Sequence, residues 1–162
     1  MKRHVIALLV EDKPGVMLRI VGMFTRRGFN IDTITVGKTE KIGTSRITLT
    51  MEDDEETLEQ VIKQLRKLID VIRVVNLDEK KTVVAELCFA KVHTKTKKSV
   101  SEVTKYSDLY KGKIVDVAPD SLTIRVVGTP EKVDSFLELM NPYGVKEIVR
   151  TGVTAIAREP KS

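Results

Sequence analysis

The feature that most constrains the fold is a change of hydrophobic period that occurs in the same order twice along the chain. In the first half, the run HVIALLV at residues 4–10 is apolar and of strand length. Between Pro14 and Arg27 the apolar residues recur at helical spacing, and Gly28 is predicted to end that helix in the left-handed conformation. Two alternating runs, NIDTITVGK and SRITLTM, then predict a hairpin.

A second helical pattern and a strand complete the first half. The helix is predicted to begin at Asp54, where the acidic run EDDEE suits the positive end of a helix. Its apolar face is predicted to hold Leu58, Val61, Ile62, Leu65, Leu68 and Ile69. The strand VIRVVNL follows at residues 71–77, so the order of elements is βαββαβ.

The second half repeats this order after the polar stretch NLDEKKT at residues 76–82, the best candidate for a linker. VVAELCFAKVH is a predicted strand, and Ser99 with Glu102 predicts a capping box that opens a helix. KIVDVAPDSLTIRVVG predicts a hairpin, Thr129 and Pro130 predict the start of a helix, and VKEIVRTGVTAIAR predicts the last extended segment.

These patterns predict an α+β protein made of two ferredoxin-like βαββαβ units in tandem, with domains at residues 1–78 and 79–162. In such a unit both helices cover one face of an antiparallel sheet. The other face needs a cover, from the same chain or a second chain. Because each half is near the lower size limit for a self-sufficient core, a homodimer is expected.

Composition excludes several classes of protein. Hydrophobic residues make up 41% of the 162 residues and charged residues 31%, and no run reaches the roughly 18 apolar residues that a membrane helix needs. The N-terminal run lacks the cleavage site of a signal peptide. Cys88 is the single cysteine, which agrees with a reducing compartment. We therefore expect a soluble cytoplasmic protein without a membrane partner.

Catalytic and metal-binding patterns are absent from the sequence. His4 and His93 lie in different halves, and neither accompanies a nucleophile motif. Cys88 and His93 are five residues apart on one predicted strand, so their side chains point to opposite faces. No glycine pattern for phosphate binding occurs. We expect no catalytic residue, no metal site and no cofactor in this chain, and a small enzyme is the weakest of the functional hypotheses.

The net charge of +5 makes nucleic acid a partner to be considered. The run HTKTKKS places Lys95, Lys97 and Lys98 close together. It contains no arginine and no aromatic residue on which a base could stack, and the chain has no tryptophan. A solvated loop is the preferred interpretation, and a nucleic-acid partner is disfavoured.

The stretch EDKPGV at residues 11–16 is the candidate binding site. Lys13 is the predicted helix cap and Pro14 the first helical residue, so the N–H groups of Gly15, Val16 and Met17 would face outward at the positive helix end. A carboxylate suits that position, and Asp12 offers an oxygen to an ammonium group, so the loop fits an amino acid. On these residues alone, an ordinary strand-to-helix turn remains the preferred interpretation, because Pro and Gly also form plain turns.

The stretch LLVEDKPGVMLRIVGMFTRRGFNIDTITV closely resembles the ACT-domain opening of the regulatory (small) subunits of acetolactate synthase, also called acetohydroxyacid synthase. SRITLTM, LEQVIKQLRKLIDVIRV and the second-half segment IVDVAPDSLTIRVVGTPEKVDSFLELMNPYGVKEIVRTGVTAIAR are similar to the same family. The resemblance covers nearly the whole chain, and RGFNI followed later by RTG is its most specific part.

The resemblance implies a non-catalytic regulatory subunit in branched-chain amino-acid biosynthesis. Its partner would be a catalytic large subunit that carries thiamine diphosphate, FAD and magnesium and makes acetolactate from pyruvate. The small subunit would activate the large one and confer feedback inhibition by valine, with leucine or isoleucine as other candidate effectors. An ACT-domain regulator that responds to an amino acid and binds nucleic acid is the alternative function.

The resemblance also implies where the effector lies, between the ACT domains of a homodimer. The strand-to-helix loop of one chain would hold it together with the start of the second strand of the other. The predicted effector-binding residues are Asp12, Pro14, Gly15, Val16, Met17, Asn30 and Ile31. The family commonly has Asn where this chain has Asp12, and an ionised carboxylate cannot donate a hydrogen bond. Effector identity and affinity therefore depend on this position.

Overall fold

A computed structural model describes residues 2–160 and divides them into two compact units. The first unit contains the described residues up to Val83 together with those from Val153 onward, and the second contains Val84–Gly152. The domain boundary predicted between residues 78 and 79 thus lies five residues before the division at Val83. Residues 153–160, which fall within the predicted second domain, belong to the first unit.

The first unit has the predicted βαββαβ order. Its elements are β1 (Lys2–Glu11), α1 (Val16–Arg26), β2 (Thr33–Lys38), β3 (Thr44–Asp53), α2 (Glu55–Leu65) and β4 (Val71–Leu77). The strands form an antiparallel sheet in the order β2-β3-β1-β4, so β2 and β4 are its edges. This is the ferredoxin-like arrangement that the sequence predicts, and the fold-class prediction is confirmed.

Alternation along the strands explains which face of this sheet the helices cover. Ile6, Leu8 and Val10 of β1 pack into one core with the apolar residues of α1 and α2. Their neighbours Val5 and Ala7 point to the opposite face and are also buried. The face without helices is therefore covered too.

Both helices of the first unit differ from the prediction at one end. The N-cap of α1 is Gly15 and the helix begins at Val16, whereas Lys13 was the predicted cap and Pro14 the predicted first helical residue. The reason is that Lys13 and Pro14 form a tight turn before the helix. Helix α2 has the predicted start, because the Asp54 side chain accepts from the Thr57 N–H at 2.7 Å. It ends at Leu65, and Ile69, predicted to lie on its apolar face, is 91% exposed.

The second unit repeats the order. It contains α3 (Lys97–Leu109), β6 (Lys113–Ala118), β7 (Ser121–Gly128), α4 (Pro130–Met140) and β8 (Val145–Arg150), preceded by β5 (Thr82–His93), which begins in the first unit. Strands β6, β7, β5 and β8 are neighbours in that order. The second core consists mainly of Cys88, Ala90 and Val92 of β5 together with apolar residues of β7, α3 and α4.

Two predictions about the ends of these elements are settled by hydrogen bonds. Thr129 caps α4 with Pro130 in its first turn, as predicted. The capping box of α3 is formed by Thr96 and Ser99, so the predicted box of Ser99 and Glu102 is wrong by one turn. A Ser at the third helical position can take the part usually played by Glu, because its hydroxyl accepts from the Thr96 N–H at 3.0 Å.

The last extended segment is two strands instead of one. β8 ends at Arg150, and a short strand, β9 (Thr154–Ala157), follows in the first unit. Gly152, with φ of 86°, lies between them in the left-handed region that glycine enters without strain. This turn lets the end of the chain return to the first unit.

Candidate functional site

The stretch EDKPGV forms a β-turn and a helix start together. The Val16 N–H donates to the Lys13 carbonyl at 3.4 Å across Pro14 and Gly15. Gly15 has φ of 87° and ψ of −9°, the values of the third residue of a type II turn, for which Pro suits the second position. The Gly15 carbonyl then accepts the Arg19 N–H at 3.0 Å as the first bond of α1.

No negative side chain of the first turn offsets the positive N-terminal end of α1. Helix α1 has no side-chain cap and no acidic residue in its first turn, in contrast to α2. Within residues 2–160, no hydrogen-bond partner is found for the N–H groups of Gly15, Met17 and Leu18. Of the three N–H groups predicted to be open, that of Val16 is used by the turn. Unpaired N–H groups at the positive end of a helix favour an anion.

Two other segments of the first unit hold this loop in place. The Asp12 N–H donates to the carbonyl of Gly43 in the β2–β3 turn at 3.0 Å. The Glu11 N–H donates to the carbonyl of Asp70, which precedes β4, also at 3.0 Å. The backbone at Glu11 and Asp12 is thereby fixed, and the exposed side chain of Asp12 is left without a partner among the described residues.

Arg19 adds a cation to the open helix start. Its Nε and Nη2 each lie 2.6 Å from Oδ2 of Asp70, whose side chain is only 10% exposed. Its Nη1 lies 3.0 Å from the position that a Cβ of Gly15 would occupy. Arg19 is not among the residues predicted from the sequence. Its proximity to Gly15 could have been predicted from its position in the helix. A long helical side chain leans toward the helix N-terminus and covers the residue four positions earlier.

The side chain of Lys13 forms an ion pair with Glu11, the last residue of β1. Its ammonium lies 2.9 Å from a Glu11 carboxylate oxygen, and that contact raises the pKa of Lys13. Both cations near the loop are therefore ion-paired. Lys13 is paired with Glu11, and Arg19 of α1 is paired with Asp70 through Nε and Nη2, which leaves its Nη1 to face a ligand beside the exposed Asp12.

Asn30 and Ile31 lie at the other end of α1. The eleven residues of this helix extend about 16 Å along its axis, and the segment 30–31 follows its C-terminal end. Asn30 is exposed and its amide lies 3.5 Å from a carboxylate oxygen of Asp32, whose pKa is raised by burial. Within one copy of the chain, the two halves of the predicted site are thus too far apart to hold one amino acid.

The remaining predicted site residues divide between surface and core. Asp12, Pro14 and Gly15 are exposed. Val16 is 3% exposed and belongs to the core of the first unit, and Met17 and Ile31 pack against that core. Since the Val16 N–H is used by the turn, the backbone N–H of Met17 is better placed for a ligand than either side chain.

Other candidate features fit structural roles. Cys88 is buried, and this burial raises the pKa of its thiol. The lysines at 97 and 98 belong to the first turn of α3, where Lys98 lies 3.8 Å from Glu102. No cluster of His, Cys, Asp and Glu suited to a metal ion occurs in the described part of the chain. No helix within residues 2–160 is long and apolar enough to cross a membrane.

The fold and the glycine turn at the start of α1 define the class of the first unit. Residues 6–73 match the family model described as "AHAS small subunit-like ACT domain", so this unit is an ACT domain. Residues 85–159 match the model described as "Small subunit of acetolactate synthase". The chain belongs to the acetolactate synthase small subunit family.

Individual relatives agree over the full length of the chain. The probable acetolactate synthase small subunit of Methanothermobacter thermautotrophicus is 52% identical, over 96% of this chain and 92% of the relative. The acetolactate synthase small subunit of Mycolicibacterium smegmatis is 42% identical, over 98% and 92%. The crystal structure of the acetolactate synthase small subunit from Thermotoga maritima superposes with a TM-score of 0.92 at 36% identity, and covers 99% of this chain and 100% of that one. Membership of this family makes the chain an ACT-domain regulatory subunit and implies a catalytic large subunit as its partner.

Proposed function

We propose that this subunit binds valine at the start of α1, raises the activity of the catalytic large subunit and makes that activity sensitive to feedback by valine. Leucine and isoleucine are the competing effectors, since they share the same backbone charges. Thiamine diphosphate, FAD and magnesium would reside on the large subunit. The complex would act in the cytoplasm, in branched-chain amino-acid biosynthesis.

The open start of α1 is the observation that carries this proposal. The unpaired N–H groups of Gly15, Met17 and Leu18 would receive the effector carboxylate. The free edge of the Arg19 guanidinium next to Gly15 would add a charge-assisted hydrogen bond. The absence of a Cβ at Gly15 allows the ligand to approach the backbone closely.

Asp12 would receive the effector's ammonium group. Its side chain is exposed, while its backbone is fixed by the bond to Gly43. A carboxylate here provides a full charge where the family commonly has the amide of Asn. We expect this chain to discriminate strongly against ligands without an ammonium group.

A second copy of the chain would complete the site. Strand β2 is an edge of its sheet and can pair with another strand. Antiparallel pairing of two β2 strands about a two-fold axis brings the start of each toward the end of the other. This arrangement supports a homodimer in which Asn30 and Ile31 of one copy approach the Gly15 loop of the other. It accounts for the separation of these residues within a single copy.

Feedback then requires that valine bind one arrangement of the subunit better than another. A coupling free energy of about 1–3 kcal/mol would change the behaviour of the large subunit by roughly 5- to 150-fold. The regulatory chain needs no catalytic group for this.

Thermal unfolding of the isolated subunit tests effector binding. Valine at a hundredfold excess over its dissociation constant should stabilise the protein by about 2.7 kcal/mol. Gly15→Asp should abolish that shift, because it places a carboxylate where the ligand's carboxylate would lie. Gly15→Ala is the matched control, because it imposes the same left-handed strain without the charge. The loop is not the site if Gly15→Asp responds to valine as the unaltered protein does.

Co-purification with a candidate large subunit, followed by assay of acetolactate formation with and without valine, tests the regulatory role. Added small subunit should raise the rate, and valine should lower it only when the small subunit is present. A rate that is indifferent to the small subunit would contradict activation. Retention on DNA that weakens with added salt would instead favour the nucleic-acid alternative.

A further inference from the structure

The segment at residues 153–157 is held on the first unit although it directly follows the last strand of the second. Val153 is 2% exposed and Ala155 is 5% exposed, so both side chains are buried where they pack. The Arg158 N–H donates to the Lys81 carbonyl at 2.8 Å and fixes the far end of the segment. We refer to residues 153–157 as the return segment.

Side chains of β2 and β3 hold the return segment on the sheet face that α1 and α2 leave uncovered. The Thr35 hydroxyl donates to the Val153 carbonyl at 3.1 Å, and the Val153 N–H donates to the Thr33 hydroxyl at 3.5 Å. Arg46 donates to the Ala155 carbonyl at 2.7 Å. These bonds run from side chain to backbone, so they depend on the position of β2 and on the Thr and Arg side chains themselves.

Thr33 and Thr35 belong to the strand that leads away from the proposed effector residues Asn30 and Ile31. The start of this strand is also bound to β3. The Asp32 N–H donates to the Thr50 carbonyl at 2.9 Å, and the hydroxyls of Thr33 and Thr50 lie 2.6 Å apart. Thr33 and Thr35 lie only one to five positions after residues 30–32. A change in the position or order of residues 30–32 would therefore alter the bonds of these two threonines to Val153.

The residues that precede the return segment, Arg150 and Thr151, are bonded to the second unit. Arg150 donates through Nε to Glu86 at 2.8 Å and through Nη1 to Asp134 at 2.7 Å, and Glu86 is 4% exposed. The Thr151 N–H donates to the Leu87 carbonyl at 3.0 Å. Only Gly152 separates this bonded residue from Val153. Such a short connection has little slack, since a residue spans at most about 3.6 Å.

We propose that the return segment is the relay through which effector binding at the start of β2 is transmitted to the second unit. This inference rests on the proposed effector site. Binding at Asn30 and Ile31 orders the start of β2, which strengthens the bonds of Thr33 and Thr35 to Val153. The short connection through Gly152 then passes the constraint to Arg150 and its partners.

Amide hydrogen exchange of the full-length protein, with and without saturating valine, tests this relay. Exchange in the peptide that contains residues 153–158 should slow by about threefold to tenfold with valine, the range expected when one hydrogen bond is gained in a local opening. Thr35→Val removes the hydroxyl with little change of volume. It should keep the valine-induced thermal shift and lose the slowing at 153–158.

Three further variants make the result specific. Thr35→Ser keeps the hydroxyl and should restore the slowing. Arg46→Met removes the bond to the Ala155 carbonyl and should also reduce the slowing of exchange, independently of Thr35. Thr25→Val is the matched control, because the Thr25 hydroxyl makes a bond of 3.0 Å to the Val21 carbonyl in the same unit, away from the return segment.

The outcomes separate this inference from the proposed function. A thermal shift with valine but unchanged exchange at 153–158 overturns the relay and leaves the effector site standing. Slowing that persists in Thr35→Val also overturns it. No thermal shift with valine, leucine or isoleucine in the unaltered protein overturns the effector site and the relay together.

Discussion

At the scale of single residues, Gly15 and Arg19 determine the space and the charge at the start of α1. Gly15 has φ of 87°, a conformation that costs an L residue with a side chain roughly 1–2 kcal/mol. Arg19 places a cation near the positive end of α1, where helix electrostatics favour anions. Asp70 binds Nε and Nη2, which leaves the N–H groups of Nη1 as donors for a ligand. The combination suits a carboxylate.

Arg19→Gln should weaken the binding of valine about tenfold while leaving that of valinamide nearly unchanged. The variant removes a charge-assisted hydrogen bond to the carboxylate, and valinamide has no carboxylate to lose it. Isothermal titration calorimetry with both ligands measures the difference. Arg26→Gln, at the opposite end of α1, is the control and should bind valine as before. An equal loss for both ligands would mean that Arg19 only supports the fold of the loop.

The sequence predicts the place of this loop but not its details. Pro and Gly at positions 14 and 15 indicate a turn before a helix, and the structure has one there. The type II turn could have been recognised from Pro followed by Gly, which would have moved the helix start to Val16. The contacts of Asp70 with Arg19 and Glu11 could not, because they join residues more than fifty positions apart that only the sheet brings together.

At the scale of elements, the ends of helices depend on local hydrogen bonds that several nearby residues can supply. Ser99 and Glu102 have the spacing of a capping box, but so do Thr96 and Ser99, and the second pair is used. Leu68 and Ile69 continue the apolar pattern of α2 beyond its last residue, Leu65, because the chain turns there toward β4. Periodicity identifies the helix and its buried face, whereas its end is set by the strand that follows.

Thr96→Ala should lower the free energy of unfolding by about 1 kcal/mol, since it removes the side chain that accepts the Ser99 N–H at 3.0 Å. Chemical denaturation monitored by circular dichroism measures this loss. Ser101→Ala, on the exposed side of the same helix, should be neutral or slightly stabilising because Ala is the better helix former. If Thr96→Ala were as harmless as Ser101→Ala, the helix would have another cap.

At the scale of the whole molecule, the repeated βαββαβ order could be predicted and the path of the last residues could not. Each unit has its own core, and hydrophobic period alone identifies the strands and helices that form it. The return of residues 153–157 to the first unit leaves no periodic signal, because the residues that hold it are far away in sequence: Thr33, Thr35, Arg46 and Lys81. Only Gly152 marks the position where one predicted strand becomes two.

The proposed effector site draws residues from two copies of the chain, and this proposal links effector binding to self-association. If two copies share each site, valine favours the dimer, and a change that prevents pairing of the β2 edges must weaken valine binding without touching the loop. Val36 on β2 is 51% exposed, and Val36→Glu places like charges across the two-fold axis. The variant should sediment as a single copy and lose most of its affinity for valine.

Sedimentation equilibrium and calorimetry with and without valine measure these two properties in the same samples. Val117→Glu is the matched control, since Val117 is 70% exposed on β6, an edge strand of the second unit. It should change neither property if the β2 edges form the effector-binding dimer. A Val36→Glu protein that remains a single copy and still binds valine with full affinity would show that one chain suffices. In that case Asn30 and Ile31 would have no part in the site, because α1 keeps them about 16 Å from Gly15.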